Sequence, residues 1–240
     1  MDLNKSNMFG DFGNKMPAMD EQGQGNMLGK LFPEGNRKSS KEEYEKMLEC
    51  AAMLEAYVGR FPREKGCVTL NATDMARWKN DFFKNLVHGG PELPDDQFYT
   101  GNKGIESNVG IGTDCSFTCE ELFQFLYRLY KGIAAYKAQS ADMKVVLQHA
   151  DLFGCASMLE KYVEKFPKTK NCVRMEAEDA ANWKDRYFPN LVEGGPKLPD
   201  YAFFSSSNKN CGIGLDCSFY ATELFQFLYR VYKEIVKQLG

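Results

Sequence analysis

Cysteine is the residue type whose possible chemistry is easiest to assess from its spacing in this sequence. The 240 residues contain eight cysteines and only two histidines. Because no C-x-x-C pair occurs, the pattern does not favour a zinc site. With no export signal visible, we expect reduced and mostly buried thiols, although four cysteines in each half also permit a disulfide framework. Three cysteines recur at equivalent places and two do not: Cys50/Cys155, Cys67/Cys172 and Cys115/Cys217 against Cys119 and Cys211.

No other group of residues has the pattern of a catalytic site. His88 is replaced by Glu193 at the equivalent position of the second half, and His149 has no equivalent histidine. No cysteine can be matched with a base from its spacing. We therefore expect a protein that is not an enzyme and that needs no cofactor.

The chain contains the same helical unit twice. Residues 110–133 and 212–235 are identical at 18 of 24 positions, and residues 50–100 and 155–205 match at 28 of 51. These repeats predict an all-α fold of two tandem homologous modules, 39–137 and 138–240. Trp78 and Trp183 should occupy equivalent buried sites. The segment between the repeats could be one long helix or two helices broken near Ser140, which could cap the second, and we favour the break.

A strongly apolar helix lies at the end of each repeat. In the first copy only Gln124, Arg128 and Lys131 form a polar stripe, and the second copy keeps Gln226, Arg230 and Lys233 at the same spacing. A helix that is apolar around most of its circumference is buried from two sides. We expect the other elements of each module to surround it.

The junctions before these helices resemble the EF-hand family. Asp114-Cys-Ser-Phe117 is followed by Glu121, and Asp216-Cys-Ser-Phe219 by Glu223, so each has a mid-loop aspartate, an apolar residue and a closing glutamate. The resemblance implies a helix–loop–helix scaffold and, as the alternative function, calcium binding. The ligands that it implies are Asp114, Ser116, Glu121, Asp216, Ser218 and Glu223. The first and third loop positions are glycine and the sixth is cysteine, so few anionic oxygens remain for calcium. The other interpretation is that these residues cap helices.

Residues 1–38 are predicted to be a flexible or partner-bound N-terminal tail. They include six glycines and five asparagines, and their five acidic and five basic side chains cancel. Such a segment buries too little apolar surface to fold alone. Its spaced apolar residues are candidate partner-binding anchors: Phe9, Phe12, Leu28, Leu31 and Phe32.

Composition narrows the function further. The net charge is −3 and no basic cluster is present, which argues against nucleic acid as a partner. No apolar run approaches the roughly 20 residues of a membrane span, and no signal peptide is visible, so we expect a cytoplasmic protein. The sequence favours a structural or protein-interaction protein, a scaffold, adaptor or assembly subunit. The alternative is an EF-hand-type protein that binds calcium or a small ligand.

Overall fold

The computed structural model describes residues 32, 40–60, 68–87, 111, 115–165, 172–193 and 213–240. This part of the chain is mostly helical, which confirms the predicted all-α class. None of its helices is long and apolar enough to cross a membrane. The predicted tail, apart from Phe32, lies outside the described residues.

The described residues of the first repeat form three α-helices and two short strands. Helix α1 is Lys41–Val58, strand β1 is Val68–Thr69, and helix α2 is Ala72–Arg77, which continues as a wider π-helix over Trp78–Val87. Strand β2 is Ser116–Phe117, and helix α3 is Cys119–Ala138.

The second repeat has the same order with one additional short helix. Helix α4 is Met143–Gln148, α5 is Ala150–Glu160, and a 3₁₀ turn covers Val163–Lys165. Strand β3 is Val173–Arg174, and α6 is Ala177–Asn182, again continued by a π-helix over Trp183–Glu193. Strand β4 is Ser218–Phe219, and α7 is Ala221–Gln238.

Local side-chain contacts determine where the helices begin. Ser40 starts α1 with a reciprocal capping box, in which its Oγ accepts from the Glu43 N–H at 3.2 Å and its own N–H donates to Glu43 Oε2 at 2.7 Å. Asn71 caps α2 through the Asp74 N–H at 2.9 Å. Asp142 caps α4 through the Lys144 N–H. The predicted break near Ser140 is therefore confirmed, but Asp142, not Ser140, provides the cap.

Each repeat is closed by an antiparallel pair of two-residue strands. Val68 pairs with Phe117 in the first repeat, and Val173 pairs with Phe219 in the second. Every pair joins an early loop of the repeat to the residues just before its last helix. The strands thereby fix the starts of α2 and α3, or of α6 and α7, relative to each other.

A duplicated tyrosine also ties each early loop to the preceding helix. The Tyr57 hydroxyl donates to Asp74 Oδ2 at 2.6 Å and accepts from the Asn71 N–H at 2.9 Å. Tyr162 makes the equivalent bonds to Asp179 and to the Glu176 N–H, both at 2.8 Å.

The two tryptophans are buried at equivalent sites, as predicted. Trp78 packs edge-on against Phe125 of α3 at 5.2 Å between ring centroids, and Trp183 packs against Phe227 of α7 at 5.1 Å. Both indoles are fully inaccessible to solvent. Each tryptophan therefore anchors the π-helical segment to the last helix of its own repeat.

Candidate functional site

Helices α3 and α7 form the most extensive helix pair among the described residues. They run in the same direction, because Gln226 contacts Cys119 near their first turns and Lys137 contacts the Val236 carbonyl near their last. Helix α1 packs on α3, and α5 packs on α7. The contact between the repeats is therefore the centre of the fold.

Aromatic rings fill this central contact. The ring of Tyr127 lies 5.8 Å from that of Tyr232, and Tyr130 lies 5.5 Å from Tyr229. Two further pairs flank them, Phe123–Tyr229 at 5.8 Å and Tyr127–Phe225 at 6.0 Å. Buried tyrosines place their hydroxyls near hydrogen-bond partners, and here those partners are carboxylates.

The first carboxylate cluster is centred on Glu55 of α1. Glu55 Oε1 accepts from the Tyr130 hydroxyl at 2.8 Å, from the Tyr229 hydroxyl at 2.7 Å and from Lys233 Nζ at 2.9 Å. Tyr130 belongs to the first repeat, whereas Tyr229 and Lys233 belong to the second. One carboxylate oxygen thus joins α1, α3 and α7.

The second carboxylate cluster is centred on Glu160 at the end of α5. Glu160 Oε1 accepts from the Tyr127 hydroxyl at 2.9 Å, from the Tyr232 hydroxyl at 2.7 Å and from Lys131 Nζ at 2.9 Å. Here Tyr232 belongs to the same repeat as Glu160, and Tyr127 and Lys131 come from the other. The second cluster is therefore the first with the repeats exchanged.

The clusters differ in burial. Lys131 and Glu160 have side chains that are 10% and 16% exposed, against 28% and 24% for Lys233 and Glu55. A charged pair this buried is tolerated because each carboxylate is neutralised by an ammonium and solvated by two phenols. Since each set of donors comes from two other helices and meets at one carboxylate oxygen, each cluster holds three helices together.

The buried arginines continue the polar stripe. Arg128 and Arg230 are fully buried, with their guanidinium carbons 5.8 Å and 5.9 Å from the ring centroids of Phe125 and Phe227. These are the rings that receive Trp78 and Trp183. The stripe predicted on α3 is therefore enclosed by protein, and Gln124 and Lys131 are buried with Arg128.

The residues implied as calcium ligands take part in helix starts. Glu121 Oε2 accepts from the Thr118 N–H at 2.7 Å, and Glu223 Oε2 accepts from the Tyr220 N–H at 2.8 Å. Thr118, and not Asp114 or Ser116, is the N-cap of α3, because its hydroxyl accepts from the Glu121 N–H. The prediction that the glutamates lie in the first turns of these helices is therefore confirmed. The predicted capping residue of α3 is wrong, because Thr118 caps that helix.

The other implied ligands are distributed along the strands. Ser116 shares a hydrogen bond with Thr69 across the β1–β2 pair at 2.9 Å, and Asp216 accepts from the Ser218 N–H at 3.3 Å. Asp114 lies outside the described residues. Among the residues that the structure describes, no three or more His, Cys, Asp or Glu side chains come together in a metal-binding group.

Two cysteines have an unusual backbone conformation. Cys115 has φ of 60° and Cys217 has φ of 58°, the left-handed region that costs a non-glycine residue roughly 1–2 kcal/mol. Each carbonyl accepts the bond that extends its strand pair, from the Leu70 N–H or the Met175 N–H, both at 2.9 Å. The left-handed residue is thus the sixth of each twelve-residue segment, 110–121 and 212–223.

The described cysteines carry free thiols, as expected for a reduced protein: Cys50, Cys115, Cys119, Cys155, Cys172 and Cys217. Burial raises the pKa of Cys50 and Cys155 well above the ordinary value of a thiol. Cys67 and Cys211 lie outside the described residues.

One of the five candidate anchors of the tail is described. Phe32 is half-buried and packs against the hydrophobic core. Phe9, Phe12, Leu28 and Leu31 lie outside the described residues.

The carboxylate clusters are the part of the site that sequence reasoning missed. Glu55 and Glu160 occupy equivalent positions, and so do Lys131 and Lys233. A lysine on an otherwise apolar helix needs an acidic partner, and a glutamate repeated on an inward-facing helix would have been the signal. Comparisons with protein-family models, curated proteins and solved structures found no match.

Proposed function

We propose that this chain is a non-enzymatic structural or protein-interaction protein, a scaffold or adaptor. It is made of two homologous helical modules, 39–137 and 138–240, and its N-terminal segment 1–38 binds a partner protein. The observation that carries the proposal is the pair of carboxylate clusters. The half-buried glutamates and lysines of these clusters join the two repeats, as expected of a rigid body that presents surfaces to a partner.

The proposed N-terminal anchors are tested by separating binding from folding. Phe32 packs on the core, so its replacement affects stability as well as binding. A Phe9→Ser/Phe12→Ser variant changes only anchors that precede Phe32. In affinity capture followed by mass spectrometry, a partner held by the full chain should be lost from this variant and from the chain lacking residues 1–38.

Melting curves on the same proteins provide the control. The Phe9→Ser/Phe12→Ser variant should have the same melting temperature as the wild type, because apolar anchors contribute to binding only against a partner surface. Retention of every captured partner by both variants would contradict the proposed role of the segment.

The second candidate function is an EF-hand-type protein that binds calcium or a small ligand. Two observations favour its scaffold: the left-handed residue at the sixth position of each twelve-residue segment, and the antiparallel pairing of the two loops in each repeat. Against ion binding, Glu121 and Glu223 are engaged by backbone N–H groups. Calcium needs six to eight oxygens, several of them anionic.

Calorimetric titration with calcium distinguishes the two functions. We expect no binding heat in the micromolar range for the wild type. A saturable isotherm that disappears in a Glu121→Gln/Glu223→Gln variant would replace the scaffold proposal with the calcium-binding one.

We also propose an intracellular location, supported by the free thiols of the described cysteines. Intact mass after alkylation without reductant tests it. Eight labelled thiols on the unfolded protein are expected, and four disulfides would overturn the proposal.

A further inference from the structure

The contact between the repeats is self-complementary. Glu55 and Glu160 are equivalent positions of the two repeats, and each bond of one carboxylate cluster has its equivalent in the other. Tyr127 is replaced by Tyr229, Tyr130 by Tyr232, and Lys131 by Lys233. This is the arrangement of an isologous interface between two identical subunits, here formed within one chain.

The connection between the repeats is short and bent. Helix α3 ends at Ala138 and α4 begins at Met143. Gln139 is still helical, with φ of −64° and ψ of −24°, whereas Asp142 is extended, with φ of −72° and ψ of 128°. The change of direction is therefore made within residues 139–142, which we call the hinge.

The hinge sequence does not itself require the bend. Residues 134–150 contain no proline and no glycine, and Ala138, Gln139 and Ala141 favour helix. Only the Asp142 cap, whose Oδ1 accepts from the Lys144 N–H at 2.9 Å, favours a new helix start within the hinge. If the hinge became helical, α3 would continue into α4 and the two repeats would separate.

We propose that this chain binds a second copy of itself by exchanging repeats. In the dimer, the hinge is helical and α3 of each chain packs against α7 of the other. The same two carboxylate clusters re-form twice, now between chains. The inference rests on the division into two modules proposed above, but its readout is the mass of the protein and is independent of any partner of residues 1–38.

One contact disfavours the pairing of two second repeats. Lys137 Nζ donates to the Val236 carbonyl at 3.3 Å, near the last turns of α3 and α7. Leu239 occupies the position equivalent to Lys137, so a pair of second repeats lacks that bond. The exchanged dimer keeps every contact of the closed monomer except those of the hinge. Its formation therefore depends on concentration and on hinge conformation.

Two hinge variants test the proposal on the full chain. Met143→Pro fits the bent hinge, because proline is accepted at the first position of a helix and its predecessor Asp142 is already extended. It also prevents a continuous helix. Asp142→Ala removes the cap and favours the continuous helix. Light scattering during size-exclusion chromatography, at rising concentration, should show a fraction near twice 27.3 kDa that grows in Asp142→Ala and disappears in Met143→Pro.

A charge-exchange pair shows which surfaces meet in the dimer. Glu55→Lys places two lysines together within one chain, and Lys233→Glu places two carboxylates together. When the two variants are unfolded, mixed and refolded, exchange restores opposite charges in both Glu55 clusters. The mixture should yield a heterodimer that neither variant forms alone.

The outcomes decide the proposal in either direction. A dimer in Asp142→Ala, its absence in Met143→Pro and a heterodimer from the mixed variants support it. Monomers in every protein at the highest concentration, or an equal dimer fraction in Met143→Pro, would overturn it, as would mixed variants that stay monomeric or stay unfolded.

Discussion

At the scale of single residues, a close contact inside the second repeat has no counterpart at the equivalent positions of the first. Gly154 of α5 faces Tyr187, and a Cβ built at Gly154 would lie 2.6 Å from the Tyr187 hydroxyl oxygen. The first repeat has Glu49 and Phe82 at these positions. The second repeat therefore differs from the first at both residues of this contact. Burial raises the pKa of Tyr187 to about 12, so the phenol is neutral at ordinary pH.

We predict that Gly154→Ala destabilises the protein despite the better helix propensity of alanine. Overpacking costs typically about 1–3 kcal/mol, whereas alanine gains about 1 kcal/mol over glycine in a helix. Gly59→Ala is the matched control, because Gly59 has a helical φ of −70° and no atom within 4 Å of an added Cβ. Urea unfolding of both variants measures the difference.

Tyr187→Phe should restore the stability of Gly154→Ala, since it removes the oxygen that the new methyl group meets. A Gly154→Ala variant as stable as Gly59→Ala would show that Tyr187 moves aside at no cost.

The thiols give a second prediction at this scale. The thiolate is the reactive form, and burial raises the pKa of Cys50 and Cys155 well above that of a free thiol and that of Cys119 to about 11. Cys172 is exposed. Among the six described cysteines of the native protein at neutral pH, an alkylating reagent should label Cys172 first, and Cys50 and Cys155 should be labelled last.

Peptide mapping of partly labelled protein identifies the order. Denatured protein is the control, in which all sites should react at similar rates. Early labelling of Cys50 or Cys155 would mean that α1 or α5 opens readily in the native state.

At the scale of elements, helices were the most predictable part of the structure. The long apolar helices that carry Lys131 and Lys233 and the break near Ser140 follow from hydrophobic periodicity and candidate capping residues. The π-helical continuations after Trp78 and Trp183 were not predicted, because no local sequence rule distinguishes a widened helix from a regular one. The strand pairs are two residues long and depend on contacts far apart in the chain.

The helix starts provide a test at this scale. Thr118 caps α3 with a reciprocal box, whereas Tyr220 caps α7 without a hydroxyl acceptor of that kind and retains only its N–H bond to Glu223. Thr118→Ala should lower the free energy of unfolding by roughly 0.5–2 kcal/mol. Ser40→Ala should cost less, because the start of α1 is more exposed and its first turn can fray.

Thermal melts of these single variants, with Thr118→Ser as a control that keeps the hydroxyl, measure the effect. If Thr118→Ser and Thr118→Ala lose the same stability, the methyl group matters and the cap does not.

At the scale of the whole molecule, repetition in the sequence indicated two equivalent units, but not how they meet. The polar stripe was visible on each central helix, yet its partners Glu55 and Glu160 lie on other helices, and for Lys131 and Lys233 they lie on the other repeat. Hydrophobic periodicity shows that a helix is buried and does not identify the neighbour that buries it. The candidate site is therefore a tertiary feature, formed only when α1, α3, α5 and α7 come together.

The more buried cluster should contribute more to the stability of this assembly. Glu160→Gln keeps the shape of the side chain but leaves Lys131 buried without its counter-charge, which costs about 3–5 kcal/mol when a buried pair is broken. Glu55→Gln should cost less, because Lys233 and Glu55 are more exposed and water screens the remaining charge. Lys131→Met combined with Glu160→Gln removes both charges and should recover much of the loss. Urea unfolding of Glu160→Gln, Lys131→Met and the double variant gives the coupling energy between the two side chains. Equal losses for Glu55→Gln and Glu160→Gln, with no recovery in the double variant, would show that aromatic packing alone holds α3 against α7.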